Sequence, residues 1–207
     1  MITGINHLAF ITSDMEVTIR FYRDLLGMEL RGGVGHGGYR HYFFGAGSAQ
    51  VAFFEYDGAA PMDQKFPGVK TSKPLGFDHV SFTVATRQTL FVMKDRIEAA
   101  GIDVHGPVDH GVGWSIYFYD PQNIPLEISW DCLDIVQMPA IDDDVDMGPI
   151  AQQSERQDDA WPPPSISTQP ADMVAKPGNG WRMRQKLIEA GKAKPNAEYQ
   201  AILDAEK

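Results

Sequence analysis

A single cysteine, Cys132, among 207 residues excludes an intrachain disulfide and fits a reducing compartment. Long apolar runs are missing as well. No stretch approaches the roughly 18 uninterrupted apolar residues of a membrane span, and MITGINHLAFI at the amino terminus has no basic start followed by an apolar run. A soluble, cytoplasmic protein with no membrane partner is therefore expected. Positive charge is scarce: 18 Lys and Arg face 28 Asp and Glu, and the sequence pI is near 4.9. A nucleic-acid partner is not expected on that balance. The glycine-rich run at residues 31–38 lacks the Lys-Ser/Thr of a phosphate cradle and opens no helix, so it is read as a loop between strands.

What is present divides the chain. Residues 1–133 carry 10 basic and 15 acidic side chains, residues 134–159 carry 1 and 8, and residues 160–207 carry 7 and 5. The first of these segments is long enough for one good core of about 130 residues. Within it a unit repeats. Residues 5–11, INHLAFI, alternate as a strand with His7 opposite Leu8 and Phe10. Ser13 and Glu16 fit a capping box for a helix reaching about Leu26, with Gly27 as its stop. Aromatic strands over residues 39–44 and 50–56 complete a β-α-β-β-β unit. Residues 57–76 are broken by proline and glycine and read as a linker. The order then starts again: FDHVSFTV at residues 77–84, a helix capped by Thr86 and closed by Gly101, and strands near residues 102–104, 115–119 and 124–130.

The expected class is α+β: two tandem β-α-β-β-β modules forming a curved mixed sheet around a cup, plus a C-terminal extension. The boundaries are 1–57 for the first module, 58–76 for the linker and 77–133 for the second module. An acidic, proline-rich extension follows over 134–178, with Trp161-Pro-Pro-Pro inside it, and a helical arm over 179–207. The arm has helical spacing over 179–190 and 197–205 and is expected to lie over the domain or a neighbouring subunit of a homo-oligomer.

The candidate site starts from the hairpin HGVGWSIYFYDPQNIPLE, residues 110–127. Period-two alternation puts Ser115, Tyr117 and Tyr119 on one face and Ile116 and Phe118 on the other. In the returning strand Glu127 opposes Leu126 and Ile128. A carboxylate on an inner face is costly to bury unless a cation meets it. Both duplicated first strands place a histidine at the same point, His7 and His79. Two imidazoles and one carboxylate are the donor set of a facial triad, which leaves positions open on Fe(II) or a similar ion.

INHLAF and FDHVSF, each heading a module, with YFYDPQNIPLEIS closing the second, resemble the vicinal oxygen chelate superfamily, which includes glyoxalase I, fosfomycin-resistance transferases, bleomycin-resistance proteins and type I extradiol dioxygenases. The resemblance covers about residues 3–131 and implies that His7, His79 and Glu127 bind the metal. His110-Gly111 ahead of Ser115-Ile-Tyr117-Phe118 brings it nearest to the extradiol enzymes. It implies Fe(II), with Mn, Ni or Zn as alternatives, and a small aromatic substrate cleaved with O2. His110 would steady reduced dioxygen and move a proton, and Tyr117 would hydrogen-bond a catecholate oxygen. The first alternative is a glyoxalase I-like lyase/isomerase or epimerase on Ni, Zn or Co, which needs a fourth protein ligand. Glu55, two or three residues past the matching position at Ala52 or Phe53, is the candidate for it. The second alternative is a metal-free module that sequesters a ligand. The Asp-Pro-Gln-Asn turn departs from the family by lacking its usual glycine. His41, near the cup, is assigned mainly to the surface, His105 is placed in a His-Gly-Pro turn without a role, and Trp114 and Tyr39 are candidate pocket walls.

Overall fold

The computed structural model describes residues 3–36, 39–70, 72, 77–140, 154, 163–177 and 181–205. They form two compact units, Met1–Gln137 and Met138–Lys207. In the first unit, β1 (His7–Thr12) leads into α1 (Met15–Ile19), which continues as a π-helical turn over Arg20–Leu25. Then come β2 (Leu30–His36), β3 (Tyr39–Ala46) and β4 (Ala49–Glu55). The second module repeats the order: β5 (Val80–Thr83), α2 (Arg87–Ala99), β6 (His105–Asp109), β7 (Gly113–Tyr119) and β8 (Pro125–Asp131). The sheets are β1-β4-β3-β2 and β5-β8-β7-β6, each with its first strand parallel to its last. This is the paired β-α-β-β-β architecture expected, with helices in the C-terminal extension.

Local chemistry explains where the elements fall. Thr86 caps α2 as expected, accepting from Thr89 N–H at 3.1 Å. The cap of α1 is Asp14, not Ser13: Asp14 accepts from Val17 N–H at 3.0 Å, while the Ser13 hydroxyl donates to Gln122. Two expectations need correction. Residues 31–36 of the glycine-rich run belong to a strand, β2, in which Gly33 makes room for an aromatic neighbour; a Cβ there would lie 2.0 Å from the Tyr42 ring. The expected strand at 102–104 is displaced to 105–109, so His105 belongs to β6 and pairs with Tyr117 rather than sitting in a turn.

The two modules share one core. Tyr22 and Phe21 from the first helix, Phe44 and Phe53 from the first sheet, Leu90 and Ile97 from α2, and Ile116, Phe118, Leu126 and Ile128 from the second sheet form a single apolar cluster. The Phe21 ring lies 6.4 Å from Phe118 across the modules, tilted against it. Both helix-bearing sheet faces thus turn toward one interior, and the helix-free faces point away from it. At the junction the Tyr22 hydroxyl donates to Asp120 at 3.1 Å, and Asp120 also accepts from the Gln122 and Ile124 N–H groups. Burial pushes the Tyr22 phenol well above its ordinary pKa, with the Asp120 charge adding to it. Tyr22→Phe is expected to lower stability by about 1–3 kcal/mol, because it leaves a buried carboxylate short of a donor. Urea unfolding checks this, and an unchanged midpoint would refute the coupling.

The second unit has a short 3-10 turn at Pro170–Asp172, α3 (Trp181–Glu189) and α4 (Ala197–Ala205). Both helices fall within the spans expected for the arm. Arg184 lies 4.7 Å over the Tyr199 ring. Trp161 and Pro162 lie outside the described residues. No described helix is long and apolar enough to cross a membrane.

Candidate metal centre

Strand register fixes which side chains share the helix-free faces. In the second sheet Tyr117 pairs with Glu127, and Ser81 with Glu127 from the other side. The alternation read from the hairpin therefore holds, with Glu127, Tyr117 and Ser115 on the face opposite Leu126, Ile116 and Phe118. In the first sheet Ala9 pairs with Ala52, and Ala52 with Phe43. Ala52 is thus the counterpart of Glu127 and Phe43 the counterpart of Tyr117. Aligning the Tyr-Phe-Phe run at 42–44 with Tyr117-Phe118-Tyr119 would instead match Tyr42 to Tyr117, one residue off this register.

Four of the five expected site residues meet in the second module. Glu127 is 8% exposed. One of its carboxylate oxygens lies 2.8 Å from His79 Nε2, and the other accepts from the Tyr117 hydroxyl at 3.3 Å. The same hydroxyl lies 2.8 Å from His110 Nε2. A phenol has one hydrogen, so when it points to Glu127 the His110 ring donates to the Tyr117 oxygen. Burial first, then the Glu127 charge, raise the Tyr117 pKa above its ordinary value, which keeps the phenol protonated and donating. His110 stands at the tip of the β6–β7 turn, shaped by Gly111 at φ +82° and an Asp109 carboxylate that accepts from Gly111 N–H. Asn123 takes the left-handed conformation in the β7–β8 turn, at φ 62°.

The fifth residue is elsewhere. His7 sits exposed on the helix-free side of the first module, with Asn6 at 2.8 Å and the Phe43 ring 5.7 Å away. Among the described residues of one chain, no three His, Cys, Asp or Glu side chains are grouped to hold an ion. Glu55 is on the helix-bearing face with Phe53. It accepts from Met15 N–H at 2.8 Å and pairs with Arg40, whose hydrogen bonds hold its carboxyl below the usual range. Neither Ala52 nor Glu55 can supply a fourth donor on the His7 side of β4.

Other sequence expectations are revised by burial. His41 is 8% exposed rather than on the surface, stacked 3.6 Å from Phe54 on the same face as His7. Burial, then the neighbouring His7, lower its pKa below the ordinary histidine value. Trp114 faces the core side against Trp130, so it walls no pocket beside Tyr117. The Tyr39 side chain lies outside the described residues.

The segment between modules contributes more than a linker would. Tyr119 donates to the Lys65 carbonyl, Met62 N–H donates to the Gln122 carbonyl, and Lys65 Nζ reaches the Phe77 carbonyl and Asp78. Phe66 is thereby set 4.8 Å from the His105 ring and 5.9 Å from Tyr117. These rings line a cavity of about 280 Å³ next to Tyr117. A larger cavity of about 510 Å³, lined by Leu8, Val51, Phe82 and Met93, is apolar and has no titratable group in its wall. The sequence signal for the strap was the aromatic Phe66 beside Lys65 in an otherwise polar, proline-broken stretch.

Three comparisons bear on this geometry. The family model described as glyoxalase/bleomycin resistance protein/dioxygenase superfamily matches residues 4–128. A curated protein, glutathione transferase FosA of Serratia marcescens, is 29% identical over 128 residues, covering 62% of this chain and 81% of that protein. Among solved structures, a glyoxylase/bleomycin resistance protein/dioxygenase domain from Frankia sp. EAN1pec superposes with a TM-score of 0.55 at 22% identity, covering 63% of this chain and 99% of that one. A fosfomycin resistance protein, FosX, of Listeria monocytogenes, solved with Mn(II) and a dihydroxypropylphosphonic acid, gives a TM-score of 0.49 at 23% identity, covering 62% of this chain and 92% of that one.

Proposed function

Because the chain belongs to the glyoxalase/bleomycin resistance protein/dioxygenase superfamily, which includes metal-dependent enzymes, we propose that it is a metal-dependent oxidoreductase that opens a catecholic ring beside its diol with Fe(II) and O2. The observation that carries this reading is the Tyr117 hydroxyl bridging His110 and Glu127 beside His79. The donor chemistry fits a divalent ion: a buried carboxylate oxygen and an imidazole nitrogen converge at 2.8 Å. The third donor is His7 from a second copy of the chain, because the helix-free faces of both modules point outward. In a two-fold dimer the first module of each copy closes over the second module of the other and two equivalent cups result.

When bound, the ion supplies Lewis acidity for the diol and a site for dioxygen. The chain's own groups do the rest. Tyr117 donates to a catecholate oxygen and exchanges a proton with it, and His110, at its back, relays that proton. Phe66, Tyr117 and His105 give a planar substrate aromatic surfaces to lie against. Both atoms of O2 enter the ring-opened product and one ring C–C bond breaks.

A second reading has one observation in its favour, the similarity to a glutathione transferase over 81% of that protein's length. Two cations near the sheets are committed elsewhere. Lys65 serves Asp78 and the Phe77 carbonyl, and Arg40 serves Glu55 and Glu16 on the other face. That arrangement does not favour an anionic substrate.

One experiment separates the readings. The chain, loaded anaerobically with Fe(II), is given a panel of catechols in air and watched for the yellow ring-opened product; a parallel arm offers glutathione with epoxides. Turnover in the second arm alone would overturn the dioxygenase reading. The shared cup has its own test. His7→Ala and Glu127→Ala chains are each inactive, and when mixed through unfolding and refolding they regain about a quarter of wild-type activity, since half the dimers are mixed and each has one intact cup. No recovery would sink the shared cup.

A further inference from the structure

Each candidate metal-binding histidine is held from behind by the residue immediately before it. Asn6 Oδ1 lies 2.8 Å from His7 Nδ1, and Asp78 Oδ1 lies 2.6 Å from His79 Nδ1. The same one-residue device recurs at the head of both modules, so the duplication preserves an arrangement and not merely two histidines. The copies differ in charge and in support. Asn6 is neutral. Asp78 is a carboxylate that accepts from Gly68 N–H at 3.0 Å and lies 3.4 Å from Lys65 Nζ, both on the strap between modules.

We propose that Asn6 and Asp78 are positioning residues that keep a hydrogen on Nδ1 of His7 and His79 and so commit Nε2 of both rings to the metal, with Asp78, braced by the strap, contributing the larger share. An acceptor on Nδ1–H fixes both the tautomer and the ring plane, and a charged acceptor also strengthens the donor at Nε2. The geometry agrees at His79, whose Nε2 is the nitrogen that faces Glu127. This inference rests on the metal reading above. It assigns the strap a task that an inert linker would not have: Lys65 and Gly68 hold the carboxylate that holds the imidazole.

Zn2+ is the probe, titrated into the full chain against a competing chelator. Asp78→Ala is expected to weaken zinc binding about 10–100-fold, in the range typical of a lost outer partner to a ligating histidine. Asp78→Asn, which keeps an acceptor but not the charge, falls between it and wild type, and Asn6→Ala weakens binding by less than Asp78→Ala. Thermal midpoints of the metal-free variants match wild type, so the loss is not one of folding. Long-range 15N–1H spectra of the zinc-loaded chain are expected to show Nδ1–H and metal-bound Nε2 at both histidines. Zinc on Nδ1 of either ring, or unchanged affinity in Asp78→Ala, overturns the proposal. Wild-type chain that takes up no zinc overturns instead the metal reading it rests on, before any substitution is made.

Discussion

Glu127→Ala is expected to abolish tight divalent-metal binding and turnover together. Among the described residues, Glu127 is the one carboxylate buried on the helix-free face of the second module, and it has two partners, His79 and Tyr117, on its two oxygens. Removing it deletes a direct donor, so the loss of affinity should exceed the about 10–100-fold that follows from losing an outer partner. The fold should survive, because Leu126 and Ile128, which anchor β8 in the core, point the other way. Metal content after dialysis, read beside a thermal melt, checks both halves. A folded variant with wild-type metal content would remove Glu127 from the metal centre.

His110→Ala separates chemistry from metal binding. His110 reaches the centre only through the Tyr117 hydroxyl, at the exposed tip of a turn. Metal uptake should therefore match wild type while ring cleavage slows by about 10²–10⁴-fold, the usual worth of a positioned acid or base. Tyr117→Phe removes the bridge itself and should slow turnover in the same direction. Full turnover in His110→Ala would leave the histidine as an exposed turn residue and withdraw the main support for dioxygenase chemistry.

The residues that sequence placed correctly are those governed by short-range rules. Alternation sufficed to put Glu127 and Tyr117 on one face and Leu126 and Phe118 on the other. Thr86, Gly27 and Gly101 marked helix ends because capping and left-handed stops depend on neighbours in the chain. What sequence misplaced depends on contacts far along the chain. Gly33 looks like part of a loop until Tyr42 is seen lying across it. Glu55 remained open as a ligand because a one-residue offset between the modules is invisible without strand register, which turns Glu55 to Arg40 and puts Ala52 opposite Phe43. The strap at 62–68 has no periodicity at all; its order comes from Tyr119, Gln122 and Asp78, each ten or more residues away. His41 was assigned to the surface from its place at a strand start, and stacking on Phe54 buried it.

One consequence follows from the outward turn of both helix-free faces. A lone chain carries two unmatched halves, His7 on one and His79 with Glu127 on the other. In the shared-cup dimer proposed above, output per molecule would depend on how many molecules are present: dilution would silence the protein without unfolding it, and catalysis would switch on as synthesis raises its abundance. A chain defective in only one half could still lend its sound half to a neighbour, so such lesions would be partly masked when two alleles are expressed together.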